Sequence, residues 1–168
     1  MSVADQGLNQ SRYMVIPRTL TFVRNQDSVL LIRGAPTKRL WANKYNGLGG
    51  HVEAGESIYS AAIREVFEES GLREIELNLV GLISIATGKN PGIVLFVFSG
   101  YSAQTKLLES SEGKLEWVKL TDIQTLPLVE DLYKLLPMVL NHDPNCGMIS
   151  GLYSYTQTGD LEVKLAYP

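Results

Sequence analysis

The sequence predicts an α+β fold in which a mixed β-sheet is flanked by helices. Three observations predict it. Apolar runs on either side of Asn25-Gln26-Asp27 read as a hairpin, Ser57 to Ser70 has helical periodicity, and strand patterning returns from Ile75 onward. Helices set apart among mostly antiparallel strands argue for this class.

Each element has a local reason. Residues 1 to 12 are polar and predict a loose N-terminal segment. Ile16 to Arg24 (IPRTLTFVR) and Val29 to Arg33 (VLLIR) are the two hairpin strands. The next stretch, GAPTKRLWANKYNGLGG, is rich in Gly, Pro and basic residues and predicts loops, with a short extended piece near Tyr45 to Leu48. Ser57 caps the first helix and Gly71 stops it. Ile75 to Thr87 and Ile93 to Tyr101 are apolar strands joined by a longer loop, and residues 102 to 113 form a polar loop. Leu115 to Leu120 alternates as a strand, after which Thr121 is placed to cap a short helical turn. Leu128 to Asn141 reads as a second helix, kinked at Pro137, and the last residues predict a hairpin turning at Thr158-Gly159-Asp160.

The composition bounds the class. With 168 residues, 45% hydrophobic and 20% charged, the chain predicts one globular unit, with a main domain over 13–145 and the hairpin of 146–168 packed on it. A net charge of −3 gives no general attraction to a nucleic-acid polymer, so an anionic ligand needs local cations or metal. Cys146 is the only cysteine, which excludes an internal disulfide and predicts an inert thiol. No secretory signal pattern or membrane-length apolar run is present, so the expected location is cytoplasmic, without a membrane partner.

One stretch carries chemistry: GHVEAGESIYSAAIREVFEESGL, Gly50 to Leu72. At about 100° per residue, Glu68 and Glu69 lie roughly −60° and +40° from Glu65, within one arc of the helix. Tyr59, Ile63, Val66 and Phe67 occupy much of the opposite side and are the expected core face. Like charges at i, i+3 and i, i+4 cost about 0.2 to 0.5 kcal/mol per pair, and carboxylates at a helix C-terminus a further ~0.3 to 1 each. A solvated acidic face is the ordinary reading of such a run. A divalent cation is the functional one, because Mg²⁺ takes carboxylate oxygens and keeps waters that a phosphate can displace. Gly47, Gly49, Gly50 and Gly55 let the backbone turn tightly beside a polyanion, yet the Gly-Lys-Ser/Thr ending of a P-loop is absent.

These 23 residues match the Nudix box, G-x5-E-x7-R-E-U-x-E-E-x-G-U with U a bulky aliphatic, at every fixed position. The resemblance implies an α/β/α sandwich and hydrolysis of a nucleoside diphosphate linked to another moiety, by water attack on phosphorus with Mg²⁺ bound and Mn²⁺ as a substitute. It implies that Glu65, Glu68 and Glu69 bind metal together with the carbonyl of Gly49, and that Arg64 positions the box acids. Glu56 would buttress the loop or join the metal through water. Two carboxylates stand as candidates for the general base, Glu69 and Glu112, the latter five residues before Trp117.

The segment KYNGLGGHV is similar to one in the 8-oxo-dGTP diphosphatase subgroup of MutT type, where an asparagine contacts the purine, and Asn46 matches it. Glu130 and Asp131 resemble that subgroup's base-reading acids, although the spacing to Pro137 is one residue longer, and Leu128 stands where a stacking tryptophan is expected. Trp41 and Tyr133 are alternative stacking faces. Among the cations flanking the glycine loop, Arg33, Lys38, Arg39 and Lys44, at least one is expected on a phosphate, with Lys89 a weaker candidate. The implied partner is a nucleotide: a nucleoside triphosphate, or alternatively ADP-ribose or another nucleotide sugar, cleaved or merely sensed. Monomer and homodimer both remain open.

Overall fold

The computed structural model describes residues 2–7, 9, 11–110 and 112–167. Its centre is one eight-stranded sheet. The strands are β1 (Val15–Asn25), β2 (Ser28–Gly34), β3 (Tyr45–Asn46), β4 (Glu76–Ile85), β5 (Gly92–Tyr101), β6 (Gly113–Lys119), β7 (Ile149–Tyr155) and β8 (Leu161–Ala166). They run in the order β3-β2-β1-β5-β4-β7-β8, with β6 pairing β2 as well. β1 with β5 and β4 with β7 are parallel and the other pairs antiparallel, so the sheet is mixed.

Two helices cover opposite faces, α1 (Ile58–Ser70) and α2 (Leu132–Leu140). Strand alternation makes this possible: Leu20 and Phe22 point into a core with Leu132, Leu135, Leu136 and Val139 of α2, whereas Val23 packs on the other side with Leu30, Leu48 and Val66 of α1. This is the expected α/β/α sandwich. The predicted C-terminal hairpin forms as β7 and β8 and extends the sheet beyond β4. Among the described residues, no helix is long and apolar enough to cross a membrane.

Several expectations shift. A short 3₁₀ turn occupies Val3–Gln6, inside the segment expected to be loose. Asp122, not Thr121, stands at the N-cap of the 3₁₀ turn Ile123–Thr125. The second helix starts four residues late, because residues 127–129 pair with β3 instead: Tyr45 N donates to Pro127 O (2.9 Å) and Val129 N to Tyr45 O (3.0 Å). It then continues past Pro137, whose carbonyl accepts from Asn141 N at 3.1 Å.

One irregularity positions the site. β1 and β2 pair only beside their turn, Arg24 with Val29 and Asn25 with Ser28, and then diverge. The glycine loop takes the vacated edge of β1, bridging Leu48 to Thr21 and His51 to Arg18. Thr19 N donates to Gly50 O at 2.9 Å and Val52 N to Pro17 O at 3.2 Å, so the loop is held like a strand.

Candidate active site

The helix that carries the acids forms with the predicted caps. Ser57 Oγ accepts from Ser60 N at 3.0 Å, and Gly71 closes the C-terminus at φ 77°, where its N–H bonds to Phe67 O. Its buried side matches the expected one in part: Val66 is buried and Ile63 packs against the core, but Ala61, Ala62, Glu69 and Ser70 are buried too, while Tyr59 is 47% exposed. The small alanines thus let α1 lie close to the sheet with the acidic arc turned toward the glycine loop.

That approach requires glycine. A Cβ on Gly50 would stand 2.6 Å from Glu65 Oε1, and one on Gly49, at φ 141°, would strike the Thr19 carbonyl. Gly49 N donates to Glu69 Oε2 at 2.9 Å. Glu69 is only 7% exposed, and burial pushes its carboxyl up to about 8, with the nearby charges of Glu112 and Glu65 adding to the rise.

Arg64 relieves much of the repulsion that the sequence implied. Its Nε and Nη2 grip Glu56 at 3.2 and 2.8 Å, and Nη1 reaches Glu65 at 2.9 Å and Glu68 at 3.0 Å. Nη2 also donates to His51 O at 3.0 Å, so all five donors are used. Hydrogen bonds from Arg64 hold Glu56 below the usual carboxylate range. Among the described residues, no three acidic, histidine or cysteine side chains converge on one point. The reason is visible: Glu65 and Glu68 face Arg64, and Glu69 faces Gly49. The donor set nevertheless suits a hard divalent cation. It offers carboxylate oxygens at a helix C-terminal end, one of them buried with a single hydrogen bond, beside the Gly49 backbone.

A cleft of about 790 Å³ opens from this point across the α2 face of the sheet. Gly49, Gly50, Glu65 and Glu112 line one end, and Leu95, Ile93 and Ile85 form an apolar floor. Asn46, Trp41 (48% exposed), Asp131, Tyr153 and Tyr155 line its remaining walls. Asn46 Oδ1 accepts from Gly47 N at 2.9 Å, which leaves its amide N–H₂ for a ligand. Burial raises the Asp131 carboxyl above its ordinary range. Burial and then the charge of Asp131 raise the Tyr153 hydroxyl likewise. The two side chains are close enough to shift one another, but no well-formed hydrogen bond joins them, and Tyr153 Oη is buried without a partner.

The structure therefore brings Gly49, Glu65, Glu112, Lys44, Asn46 and Asp131 to one cleft, with Glu69 immediately behind its wall. Glu56, Arg64 and Glu68 lie outside the lining and connect to it through Glu65. Glu112 is held by Lys38 at 2.8 Å, and Lys44 lies 4.0 Å from Glu130. Arg33 does not join them. It lines a separate groove with Gly34 and Lys114, its guanidinium 5.8 Å from the centre of the Tyr45 ring, because strand alternation turns it away from the cleft. Lys89 and Arg39 also lie outside the lining. Leu128 is buried in the core, and Tyr133 bonds Leu126 O at 2.9 Å, so of the proposed stacking faces only Trp41 borders the cleft.

Sequence reasoning missed Arg18, Tyr153 and Tyr155, which all line the cleft. For Arg18 the signal was present: in IPRTLTFV it falls in phase with Leu20 and Phe22, a charge on the inward face of a strand.

Comparison with known proteins agrees with this arrangement. The model of the NUDIX domain matches residues 14–139. An uncharacterized Nudix hydrolase of Bacillus subtilis, YvcI, is 31% identical over 145 residues, covering 83% of this chain and 86% of that protein. The oxidized purine nucleoside triphosphate hydrolase of Mus musculus is 34% identical over 130 residues, 77% of this chain and 82% of that protein. Among solved structures, a MutT protein from Bacillus halodurans superposes with a TM-score of 0.73 at 29% identity, over 90% of this chain and 97% of that one. Sequence, fold and relatives converge, and the chain belongs to the NUDIX family, hydrolases that act on phosphoanhydride bonds.

Proposed function

We propose that the chain hydrolyses a purine nucleoside triphosphate to the monophosphate and pyrophosphate, with oxidised purine nucleotides as the preferred class. One observation carries the reading: a single cleft joins the acidic, glycine-lined end to an apolar floor whose walls include Asn46, Trp41 and Asp131. The similarity to the mouse oxidized purine nucleoside triphosphate hydrolase supports it.

Nudix hydrolases generally need divalent metal ions. Here Glu65, Glu68, Glu69 and the Gly49 carbonyl would hold Mg²⁺, or Mn²⁺ in its place. When bound, such an ion lowers the pKa of a coordinated water and stabilises charge on phosphate oxygens. The chain's own residues do the rest. Glu112 opens on the cleft, paired with Lys38 at 2.8 Å, and would take the proton of an attacking water, whereas Glu69 is buried behind the wall and turned to Gly49. Arg64 keeps Glu56, Glu65 and Glu68 in register, as a positioning residue. Lys44 faces the substrate phosphates. At the base end, Asn46 donates to a purine acceptor, and Asp131, whose carboxyl burial raises above its ordinary range, lines the same wall.

The test is a panel of 8-oxo-dGTP, dGTP, ATP, ADP-ribose and dinucleoside polyphosphates with Mg²⁺, with products separated by chromatography. The expected result is monophosphate and pyrophosphate from the oxidised purine triphosphate at the highest kcat/KM. Preference for ADP-ribose, or no turnover of any triphosphate, overturns the reading.

A further inference from the structure

Arg18 is a cation on an apolar floor. It projects on the same sheet face as Leu20 and Phe22, stands level with Leu95 of β5 and faces His51 across the isolated bridge. Its Nε is buried without a hydrogen-bond partner, and among the described residues no carboxylate lies within ion-pair distance. The neighbouring cations differ. Arg64 is fully engaged, Lys38 holds Glu112, and Lys44 has Glu130 at 4.0 Å. A buried guanidinium nitrogen left unpaired is unfavourable by itself and points to a partner supplied from outside.

Its position says which partner. Arg18 adjoins Thr19, whose N–H bonds Gly50 O, and Gly50 in turn abuts the Glu65 carboxylate. The residue thus stands between the acidic end of the cleft and its apolar floor. Along a nucleotide, the anionic group at that point is the phosphate attached to the ribose.

We infer that Arg18 binds the α-phosphate of the nucleotide, the phosphate that stays with the monophosphate product. The inference rests on the proposed function for the orientation of the ligand in the cleft. A guanidinium can meet a phosphate with two parallel hydrogen bonds, which lysine cannot reproduce. Because the α-phosphate is held before and after cleavage alike, Arg18 contributes uniform binding: its loss raises KM and weakens product inhibition in parallel, with kcat little changed.

The experiment measures binding without turnover. Calorimetry in EDTA compares a purine nucleoside monophosphate and the matching nucleoside on wild type, Arg18→Met and Arg18→Lys, each first checked for cooperative thermal unfolding. Monophosphate affinity is expected to fall by about tenfold or more in Arg18→Met and by a smaller factor in Arg18→Lys, with nucleoside affinity unchanged. If Arg18→Met does not fold, Arg18→Lys decides: monophosphate affinity weakened severalfold upholds the assignment, and affinity equal to wild type refutes it. Equal loss of nucleoside and monophosphate, or no monophosphate binding by wild type, also refutes it. Arg18-dependent monophosphate binding in a protein that cleaves no triphosphate would overturn the proposed function alone. Triphosphate cleavage with Arg18-independent monophosphate binding would overturn this inference alone.

Discussion

Replacing Glu69 by Gln should make the metal-free protein more stable while abolishing activity. The structure gives the size. Glu69 is 7% exposed and burial pushes its carboxyl up to about 8, whereas an unfolded chain holds it near the ordinary value of 4.5. A raised carboxyl pKa means that the folded state binds the proton more tightly. Its stabilising share is complete below pH 4.5 and is lost as pH rises toward 8. With 1.36 kcal/mol per unit, the loss reaches about 3 kcal/mol at pH 7. Glutamine keeps an oxygen to accept from Gly49 N and cannot ionise. Urea unfolding in EDTA should therefore show wild type and Glu69→Gln nearly equal at pH 4.5. The gap should widen in favour of Gln to about 3 kcal/mol at pH 7 and level off above pH 8. In Mg²⁺ the variant should lose turnover by orders of magnitude. A difference that is independent of pH, or a variant less stable than wild type at pH 8, would rule out burial of the Glu69 charge as its cause.

Gly50→Ala places a methyl group 2.6 Å from Glu65 Oε1; because Glu65 must move, kcat should fall at least about tenfold in steady-state assays. Glu112→Gln, at the cleft rim, should lower kcat by about 100-fold or more with KM little changed, the pattern of a lost general base. Arg33→Ala should leave kcat/KM within about twofold of wild type, because its side chain lines a different groove and substitutions away from the site are near neutral.

Much of the fold was legible because it rests on short-range rules. Ser57, Gly71 and the apolar alternation in β1, β2, β4 and β5 act over a few residues, and the structure follows them to within one or two positions. Where prediction failed, a distant partner decided. Residues 128–131 have a helical pattern, but the backbone of 127–129 bonds Tyr45, more than eighty positions earlier, and the helix begins only at Leu132. The divergence of β1 from β2, which admits the glycine loop, has no local mark that period counting would detect.

The site divides in the same way. The acids of α1 and the glycines beside them are contiguous in sequence, so their spacing already pointed to one another. Arg33 looked equivalent to Lys44 by proximity to the glycine loop, yet the two side chains end in separate grooves. Arg18, Tyr153 and Tyr155 reach the cleft only through sheet pairing, from β1 and from the C-terminal hairpin. The burial of Glu69 is likewise a tertiary fact: on the helix wheel it was one of three equivalent acids, and the loop 47–51 beside β1 makes it the buried one.

The carboxylates at the C-terminal end of α1 are proposed above to form a divalent cation site. Electron paramagnetic resonance of free Mn²⁺ tests it directly, by titrating Mn²⁺ into wild type and into a Glu65→Gln/Glu68→Gln double variant. The expected result is depletion of the free-ion signal by wild type and an affinity at least about tenfold weaker in the variant. A wild-type protein that leaves the free signal unchanged, or a double variant that binds Mn²⁺ equally well, would contradict it.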